Sequence, residues 1–507
     1  MRRAIVVGAG IGGLAAGIRL AARGWRVTMF DKNREPGGRM STVTAGGFSW
    51  DVGPTLIMMP EVLRELFAAA GRRLEDYVEL TRVDPYYRVV FEDAGHLDLT
   101  GNLPDMVANV EALEPGAGPR YLEFLGAAER LSRRTRDAIV ERRFGGLSDL
   151  ARPDVLLALL RARPLSSVAD VVAAHFRSPR LRRAFSFQTL YLGTSPARTP
   201  AAYVMIPFVE AALGVWYPRG GVHRIALGLA ALARELGVDL QLGTPVDRIV
   251  TDNGRATGVL VEGAVEPADV VVSNADWAYT QERLLDHGER VAGRDFGCSG
   301  VLFLIAVRGT VVGPHHTFLL SRDFDGNLAD LFERRRLPEQ PSIYLSRPTA
   351  TDASLAPAGT ELLYVLVPSP NLESGVDWRA ELPGFRARVL TRLAAAGLGD
   401  LESRIVAETA LTPEDFGARY NLAAGSAFGL AATLLQSGPF RPTIRSRRYG
   451  GLYHVGASSH PGGGVPIVAL SGRMAAEAIE EDWLAATHRT RAAVLPAARG
   501  RWSGASS

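Results

Sequence analysis

The chain opens with a glycine fingerprint, and this feature constrains its fold more than any other. Residues 4–7 are apolar, glycines occupy positions 8, 10, 12 and 13, and residues 14–23 are rich in alanine and leucine. A second apolar run over residues 26–30 ends at Asp31. A strand, then G-x-G-x-x-G, then a helix, then a strand closed by an acid is typical of a dinucleotide-binding βαβ unit. The opening therefore predicts an α/β fold that contains a Rossmann-like sheet.

Each glycine of the motif has a physical role. Gly8 permits the tight turn after the strand, Gly10 lets the backbone approach a pyrophosphate, and Gly13 lets the helix pack closely on the strand. The helix N-terminus presents unpaired N–H groups and a positive dipole to the phosphates. We expect Asp31 to accept hydrogen bonds from ribose hydroxyls, and its charge disfavours the 2′-phosphate of NADP.

Glycine-rich segments after Asp31 favour FAD over NAD. Gly37-Gly38-Arg39 follows the acid closely, and Gly53-Pro54-Thr55 ends a further segment over residues 47–55. A second glycine pair with an arginine suits a larger cofactor, because its pyrophosphate and flavin end need further access to the backbone. The sequence shows no second strand–GxGxxG–helix unit, so we expect one dinucleotide site.

Composition excludes several classes of protein. The chain has 507 residues, of which 47% are hydrophobic and 22% charged, as in an ordinary globular protein. With 57 basic and 54 acidic residues the net charge is +3, so no nucleic-acid partner is expected. Cys298 is the only cysteine, which excludes an internal disulfide and a cysteine-rich metal site. No HExxH spacing indicates a metal, so none is predicted.

The sequence contains no uninterrupted apolar stretch long enough to predict a membrane-spanning helix. Residues 200–217 come closest, but Pro207 and Glu210 interrupt them. This segment is predicted to form either a buried hydrophobic wall or a surface that dips into lipid.

Three separated blocks of the chain carry strand and helix patterns that suit one cofactor domain. They are residues 1–90, 218–300 and 441–486, whereas residues 91–217 and 301–440 carry no dinucleotide-type pattern. We expect a discontinuous cofactor domain with a second, substrate- and membrane-facing domain threaded through it. Residues 487–507, rich in Ala, Arg and Ser, are expected to form a flexible tail.

Longer motifs carry a resemblance to a known family. GAGIGGL followed by D-x5-GGR resembles the FAD-binding start of the flavin amine oxidase and carotenoid desaturase superfamily. From the first strand to about residue 480, the chain is similar to the bacterial and fungal type phytoene desaturases. The matching segments are GGFSWDVGPT (46–55), AFSFQTLYLGTSPARTPAAY (184–203), GVWYPRGGVHRI (214–225), VVSNADW (271–277), LYVLVPSPN (363–371), TPEDFGARYNLAAGSAFGL (412–430) and LYHVGASSHPGGGVPIVALSG (452–472).

The resemblance implies an α/β fold of the flavin amine oxidase type, with a Rossmann-like, discontinuous FAD-binding domain and an inserted α+β substrate domain. It implies FAD as the cofactor, with Gly38 and Arg39 near the pyrophosphate or flavin and Val246 pairing its backbone with adenine. The expected cofactor-binding residues are Gly8, Gly10, Gly12, Gly13, Asp31, Gly38, Arg39, Gly53, Pro54, Thr55, Val246, Gly456, Gly464, Val465 and Pro466.

The activity that the resemblance implies is FAD-dependent desaturation of phytoene, a long apolar polyene of carotenoid biosynthesis, in steps toward neurosporene or lycopene. A hydride would pass to flavin N5 and a proton would leave the neighbouring carbon, and no catalytic acid or base is assigned. A hydrocarbon offers no polar handle, so an apolar tunnel must orient it. Candidate wall residues are Tyr191, Tyr203, Met205, Phe208, Trp216, Phe303, Phe428 and Leu430.

A C40 carotene resides in the bilayer, so the resemblance also implies a cytoplasmic enzyme bound peripherally to the inner face of the membrane. Residues 200–217 and the arginines at 177, 180, 182 and 183 are the candidates for that contact. The adjacent pair His315 and His316 is predicted to lie in a turn or on the surface rather than to bind a metal.

Other functions stay open at this point. One is a desaturase, oxygenase or ketolase acting on another carotenoid, and another is a non-enzymatic lipid-binding relative built like the GDP-dissociation inhibitors. A flavin amine oxidase is disfavoured because it usually needs a lysine near N5, and Lys32 in the cofactor segment is the only lysine. The number of desaturation steps, the electron acceptor (oxygen or quinone) and homo-oligomer formation are left open.

Overall fold

The structure, a computed structural model, describes residues 2–91, 95–146, 149, 151–161 and 165–494. Its strands are β1 (Arg3–Val7), β2 (Arg26–Asp31), β3 (Ser41–Ala45), β4 (Phe48–Val52), β5 (Leu80–Val83), β6 (Tyr87–Val90), β7 (His96–Leu99), β8 (Val215–Pro218), β9 (Asp239–Leu242), β10 (Arg248–Asp252), β11 (Arg255–Val261), β12 (Ala264–Pro267), β13 (Val270–Ser273), β14 (Ser299–Arg308), β15 (His316–Leu319), β16 (Ile343–Ser346), β17 (Thr360–Ser369), β18 (Ile405–Leu411) and β19 (Leu452–His454).

Helices connect and cover these strands. They are α1 (Ile11–Ala22), α2 (Pro60–Ala68), α3 (Leu103–Leu113), α4 (Ala117–Thr135), α5 (Pro153–Arg161), α6 (Val168–His175), α7 (Pro179–Ala184), α8 (Met205–Leu213), α9 (His223–Glu235), α10 (Trp277–Tyr279), α11 (Phe324–Phe332), α12 (Trp378–Leu393), α13 (Leu401–Arg404), α14 (Pro413–Tyr420) and α15 (Val465–Val494).

A five-stranded parallel sheet contains the predicted dinucleotide unit. Its order is β19-β13-β1-β2-β9, so strands from three distant parts of the chain lie side by side. Helix α1 joins β1 to β2 and packs on α15 and α9. A Cβ atom on Gly472 of α15 would lie 2.7 Å from Cβ of Ala15, so glycine allows the two helices to touch. The Rossmann-like α/β architecture predicted from the opening motif is confirmed.

A seven-stranded sheet forms the second half of the molecule. Its order is β18-β14-β17-β16-β15-β6-β7, and only β15 and β6 are parallel neighbours among these pairs. Side chains of β14 alternate between its two faces. Leu302 and Leu304 pack in one core, whereas Val301 and Phe303 pack in another with Trp378 of α12. The face that carries Leu302 and Leu304 is turned toward the rest of the molecule.

One predicted domain boundary needs a correction. The boundary at residue 90 falls between β6 and β7, which pair with each other from Tyr87↔Leu99 to Val90↔His96. Because β6 also pairs with β15, residues 87–90 belong to the seven-stranded sheet. The break therefore has to precede β6, since apolar patterning alone cannot tell which sheet a short strand joins.

Two further segments can be compared with the sequence-based expectation. Residues 200–217 run through two short helices into β8, and the burial of Val204, Val209 and Glu210 fits the expected buried wall. Residues 487–494 of the expected tail continue α15, and residues 495–507 lie outside the described residues. Among the described helices, none combines the length and the apolar character needed to cross a membrane.

Candidate functional site

A cavity of about 600 Å³ extends between the two sheets and receives residues from both. Most of the predicted cofactor-binding residues line it. They are Gly8, Gly10, Asp31, Gly38, Arg39, Gly53, Pro54, Thr55, Val246, Gly456, Gly464, Val465 and Pro466. Gly12 and Gly13 lie behind this surface, against the strand and the neighbouring loop.

Backbone packing around the first turn explains why glycine is required there. A Cβ on Gly13 would lie 2.1 Å from the carbonyl oxygen of Gly8, and one on Gly10 would lie 2.6 Å from Nδ2 of Asn274. Gly8 itself has a φ of +98°, a conformation that other residues rarely adopt. No side chain caps the first turn of α1, so its N–H groups stay free to meet a ligand.

Asn274 is a site residue that the sequence analysis did not single out. It follows β13 directly, and its Nδ2 donates to the carbonyl oxygen of Gly8 at 3.2 Å. Its Oδ1 lies where a side chain on Gly12 or Gly456 would have to pass. Asn274 thus joins the glycine turn to the C-terminal loop. A polar residue at the carboxyl end of a strand beside β1 is the pattern that could have indicated it.

Two helix N-termini converge on the cavity. The first turn of α1 follows Gly10, and residues Val465–Val468 at the start of α15 line the same space. Neither first turn contains an acidic residue, so both present uncompensated positive dipole ends. This arrangement suits an anion such as a pyrophosphate.

Asp31 lies at the end of β2, where the nucleotide end of the cavity begins. Its carboxylate accepts hydrogen bonds from the backbone N–H groups of Ala9 and Asn33, both at 2.7 Å. Burial raises the pKa of Asp31, and these two backbone bonds oppose that rise. Each oxygen keeps accepting capacity for a hydroxyl group, as a ribose requires. The segment that carries Val246 is held beside Asp31, because Thr244 N–H donates to the Asp31 carbonyl at 2.8 Å.

Arg39 brings a half-buried positive charge to the wall of the cavity. Its Nη1 donates to the carbonyl oxygen of Ala427 at 2.8 Å. Burial lowers its pKa, and the carboxylate of Asp276 opposes that shift. The chain folds tightly here, because a Cβ on Gly53 would lie 2.1 Å from the carbonyl oxygen of Arg39. A guanidinium in this position suits an electron-rich or anionic part of a cofactor.

The other end of the cavity is apolar and aromatic. Five predicted wall residues line it: Tyr191, Tyr203, Met205, Phe428 and Leu430. Ile206 and Val209 join Met205 on the cavity face of α8. The cavity therefore changes character along its length, from a polar backbone cradle to a hydrophobic chamber.

Three predicted wall residues lie elsewhere. Phe208 is turned away from the face of α8 that carries residues 205, 206 and 209, and it packs in the cores. Phe303 is on the far face of the seven-stranded sheet, and Trp216 packs against the core of the first sheet. Hydrophobicity alone could not tell a cavity wall from a core.

The histidine pair is buried, so the prediction of a surface position is wrong. His316 begins β15 and is fully buried, and its ring centroid lies 4.1 Å from that of His315. Nδ1 of His315 is 2.6 Å from Oγ1 of Thr351. Burial lowers the pKa of His315 to about 3 and holds that of His316 well below its usual value. No group of three or more metal-ligating side chains occurs among the described residues.

Glu210 is a buried acid that the sequence analysis treated only as an interruption of an apolar stretch. Its carboxyl group accepts a hydrogen bond from Tyr87 Oη at 2.9 Å and one from Gln188 Nε2 at 3.3 Å. Burial raises its pKa to about 8. At neutral pH Glu210 is therefore largely protonated, in the core behind the cavity wall.

Comparisons with known proteins agree with this geometry. The family model described as flavin containing amine oxidoreductase matches residues 11–480. A zeta-carotene-forming phytoene desaturase of Myxococcus xanthus is 44% identical over 94% of this chain and 93% of the relative. A 4,4'-diapophytoene desaturase (4,4'-diaponeurosporene-forming) of Staphylococcus haemolyticus is 36% identical over 94% and 98%. The crystal structure of an oxidoreductase from Methanosarcina mazei has a TM-score of 0.64 at 18% identity, covers 94% of this chain and all of that chain, and shows the shared fold.

Proposed function

We propose phytoene as the substrate of this chain, which belongs to the flavin containing amine oxidoreductase family and is a carotenoid desaturase within it. One observation carries the proposal. A single cavity runs from a backbone cradle suited to a dinucleotide into an apolar chamber suited to a hydrocarbon. The M. xanthus relative, which covers nearly the whole chain, is named for phytoene.

The residues at the polar end fit FAD. Asp31 would accept from the ribose, the starts of α1 and α15 would face the pyrophosphate, and Arg39 would lie near the flavin. Glycine at positions 10 and 456 leaves room for the Asn274 side chain, which holds the two loops of the cradle together. When bound, FAD supplies the two-electron acceptor that dehydrogenation of a C–C single bond requires.

The residues at the apolar end would orient and shield the substrate. Met205, Ile206 and Val209 on α8 form one side, and Phe428 and Leu430 form another. A hydrocarbon gains about 25 cal/mol for each Å² of apolar surface that it buries here. Shape therefore decides which bond of the polyene lies at the reactive position, and the walls exclude water from it.

Expression of the chain in a host that accumulates phytoene tests this function. We expect phytoene to fall and desaturated carotenes to appear, with the number of new double bonds read from the absorption spectrum of the extract. A zeta-carotene spectrum would indicate two steps, and neurosporene or lycopene more. Unchanged phytoene in the presence of folded, FAD-loaded protein would contradict the proposal.

We also propose that the protein binds the cytoplasmic face of the membrane through the region around α5. Leu156 and Leu157 on this helix are 51% and 45% exposed. The helix packs on α4 and on residues 136–140, and Ile139 and Val140 in that turn line the cavity. An apolar surface beside the cavity would let a carotene enter from lipid without crossing water.

Basic residues around α5 support an anionic membrane as the partner. Arg142 and Arg152 flank the helix, although both also pair with Asp154. Flotation with vesicles that contain anionic lipid is the test. The double variant Leu156→Ser/Leu157→Ser should lose most binding, whereas Val312→Ser, at a 92% exposed valine on the loop between β14 and β15, should not. Equal flotation of both variants would exclude α5 as the contact.

A further inference from the structure

Three side chains form a hydrogen-bonded chain at the cavity wall. Oγ1 of Thr55 lies 2.5 Å from Oη of Tyr344, and Oη of Tyr344 lies 2.7 Å from Nδ1 of His316. Thr55 and Tyr344 line the cavity, whereas His316 lies behind them and is fully buried. The chain therefore leads from the cavity surface into the protein interior.

This hydrogen-bonded chain of side chains lies where the two ends of the cavity meet. Thr55 follows Gly53 and Pro54, and Gly53 packs directly on the backbone of Arg39. Oη of Tyr364, which also lines the cavity, donates to the carbonyl oxygen of Gly53 at 2.9 Å. A substrate in the apolar chamber would thus meet the Tyr344 hydroxyl close to the residues that are expected to hold the flavin end of the cofactor.

The direction of the hydrogen-bonded chain depends on which nitrogen of His316 carries the proton. Because burial holds the pKa of His316 well below its usual value, its ring is neutral and one nitrogen carries a lone pair. Nδ1 is the nitrogen that meets Tyr344, while Nε2 meets no hydrogen-bond partner among the described residues. Burial also raises the pKa of Tyr344, so its phenol stays protonated at rest. The relay requires the tautomer with the proton on Nε2, in which Tyr344 donates to Nδ1 of His316 and accepts from Thr55.

We propose that Tyr344 is the catalytic residue that receives the proton lost by the substrate, and that His316 acts through it as a positioning residue and proton acceptor. The proposal rests on the desaturase function proposed above. FAD, when bound, would supply the two-electron acceptor for the hydride, the hydrogen that leaves one carbon of a CH–CH pair with both electrons of its C–H bond. The neighbouring carbon loses a proton to the Tyr344 oxygen as the phenolic proton passes to Nδ1, and the electrons of that C–H bond become the new π bond.

A weak base is sufficient for this step. A carbon next to an electron-deficient allylic centre is strongly acidic, so a neutral phenol backed by a neutral imidazole can take its proton. The proton returns along the same chain to the cavity after the product leaves. No group with a full charge has to be buried at rest, which agrees with the apolar surroundings of His316.

Other proton acceptors in the cavity are less suited. The Asp276 carboxylate accepts from the Ser458 hydroxyl and from the N–H of Ala278, and it lies within the field of Arg39. Asp31 is held by two backbone N–H groups at the nucleotide end. His460 also lines the cavity and is neutral, because burial lowers its pKa to about 4, and it is the rival that the experiment has to separate.

The test uses the FAD-loaded protein and phytoene deuterated either at the carbon that loses the hydride or at the carbon that loses the proton. Tyr344→Phe should lower kcat about 100-fold with little change in KM, as expected for loss of one proton acceptor. Its isotope effect should rise at the proton-losing carbon and not at the hydride-losing carbon. His316→Gln should show the same isotope pattern with a smaller loss of rate.

Tyr87→Phe is the matched control. Tyr87 is a buried tyrosine whose ring lies 5.8 Å from that of His316, but its hydroxyl pairs with Glu210 and does not line the cavity. It should keep the wild-type isotope effects. A Tyr344→Phe protein with rate and isotope effects like wild type would overturn the proposal, and so would a His460→Gln protein that alone shows the predicted isotope pattern.

A measurement independent of turnover separates this proposal from the proposed function. In protein labelled with ¹⁵N-histidine, the Nδ1 resonance of His316, assigned by its loss in His316→Gln, should shift in Tyr344→Phe and stay in place in Tyr87→Phe. If wild type does not desaturate phytoene, the function is wrong whatever this resonance does. If wild type is active and the resonance does not respond to Tyr344→Phe, the relay is wrong.

Discussion

The two ends of the cavity are built by different means. At the nucleotide end, backbone atoms set the shape: glycine turns, the first turns of α1 and α15, and N–H groups that bind Asp31. At the substrate end, side chains set the shape, and they come from α8, the seven-stranded sheet and loops far apart in sequence. An added atom at the first end meets backbone that cannot move, whereas at the second end it meets side chains that can repack. We therefore expect the two ends to differ sharply in their tolerance of substitution.

The largest expected effect is that of Gly13→Ala. Its Cβ would lie 2.1 Å from the carbonyl oxygen of Gly8, a clash that only a displacement of α1 from β1 can relieve. We expect a loss of more than about 3 kcal/mol in the free energy of unfolding, and loss of bound flavin. Urea unfolding and the flavin absorption spectrum measure both.

The same change elsewhere serves as the control. Gly384 lies inside α12, and a Cβ there would have no atom within 4 Å. Gly384→Ala should stabilise the protein by about 0.5–1 kcal/mol, because alanine favours a helix. Wild-type stability and flavin content in Gly13→Ala would show that close packing of α1 on β1 does not define the nucleotide end.

The contrast between the two ends of the cavity also explains which parts of the fold and the site the sequence predicts. The β1–α1–β2 unit, with its glycine turn and Asp31, follows from local order along one stretch of about 30 residues, because adjacent parts of the chain build it. Tyr344, His316 and Thr55 come from distant segments, and no local pattern connects them. Phe303 and Phe208 are as hydrophobic as the residues of a cavity wall. The alternation of side chains along β14 and the periodicity of α8 nevertheless place them in hydrophobic cores. The sequence therefore predicts the local backbone unit well, whereas side-chain packing decides which of the hydrophobic candidates line the cavity.

The next largest expected effect is a pH dependence of the unfolding free energy, caused by Glu210 in the core behind the substrate end of the cavity. Glu210 has a pKa of about 8 in the folded protein, against 4.5 for an ordinary glutamic acid, because it is buried. Between these values the folded state holds a proton that the unfolded state has lost, so the stability that Glu210 contributes is complete below pH 4.5 and is lost as the pH rises toward 8.

Glu210→Gln should remove this dependence. From pH 5 to pH 7, wild type should lose about 2 to 3 kcal/mol of unfolding free energy relative to the variant. Urea unfolding of both proteins across the pH range measures the difference, in which the contributions of the buried histidines cancel. A constant difference between the two proteins from pH 4.5 to pH 8 would mean that Glu210 is ionised in the folded state.

A smaller effect is expected for Asp31→Ala at the nucleotide end. The change removes the acceptor of two backbone N–H groups and the group that is proposed to bind the ribose. We expect FAD to bind about 30-fold more weakly, which corresponds to about 2 kcal/mol for hydrogen bonds to a charged group. Quenching of flavin fluorescence during titration of the apoprotein measures this. Asp269→Ala, which removes a half-buried acid that accepts from Arg3 N–H at the same sheet, should bind FAD as wild type does.

The smallest effect on stability is expected for Met205→Leu in the apolar chamber. Met205 is half-buried on the cavity face of α8, and leucine has nearly the same volume but a branched, stiffer shape. Such exchanges cost less than about 1.5 kcal/mol, so we expect folded protein with full flavin content. The wall contour would still change beside the polyene, and therefore the ratio of carotenes with different numbers of double bonds should shift in the phytoene-accumulating host. Loss of flavin in Met205→Leu would show that the two ends are mechanically coupled, since a side chain of the chamber would then control the backbone cradle. An unchanged product ratio, with flavin retained, would show that α8 does not position the polyene.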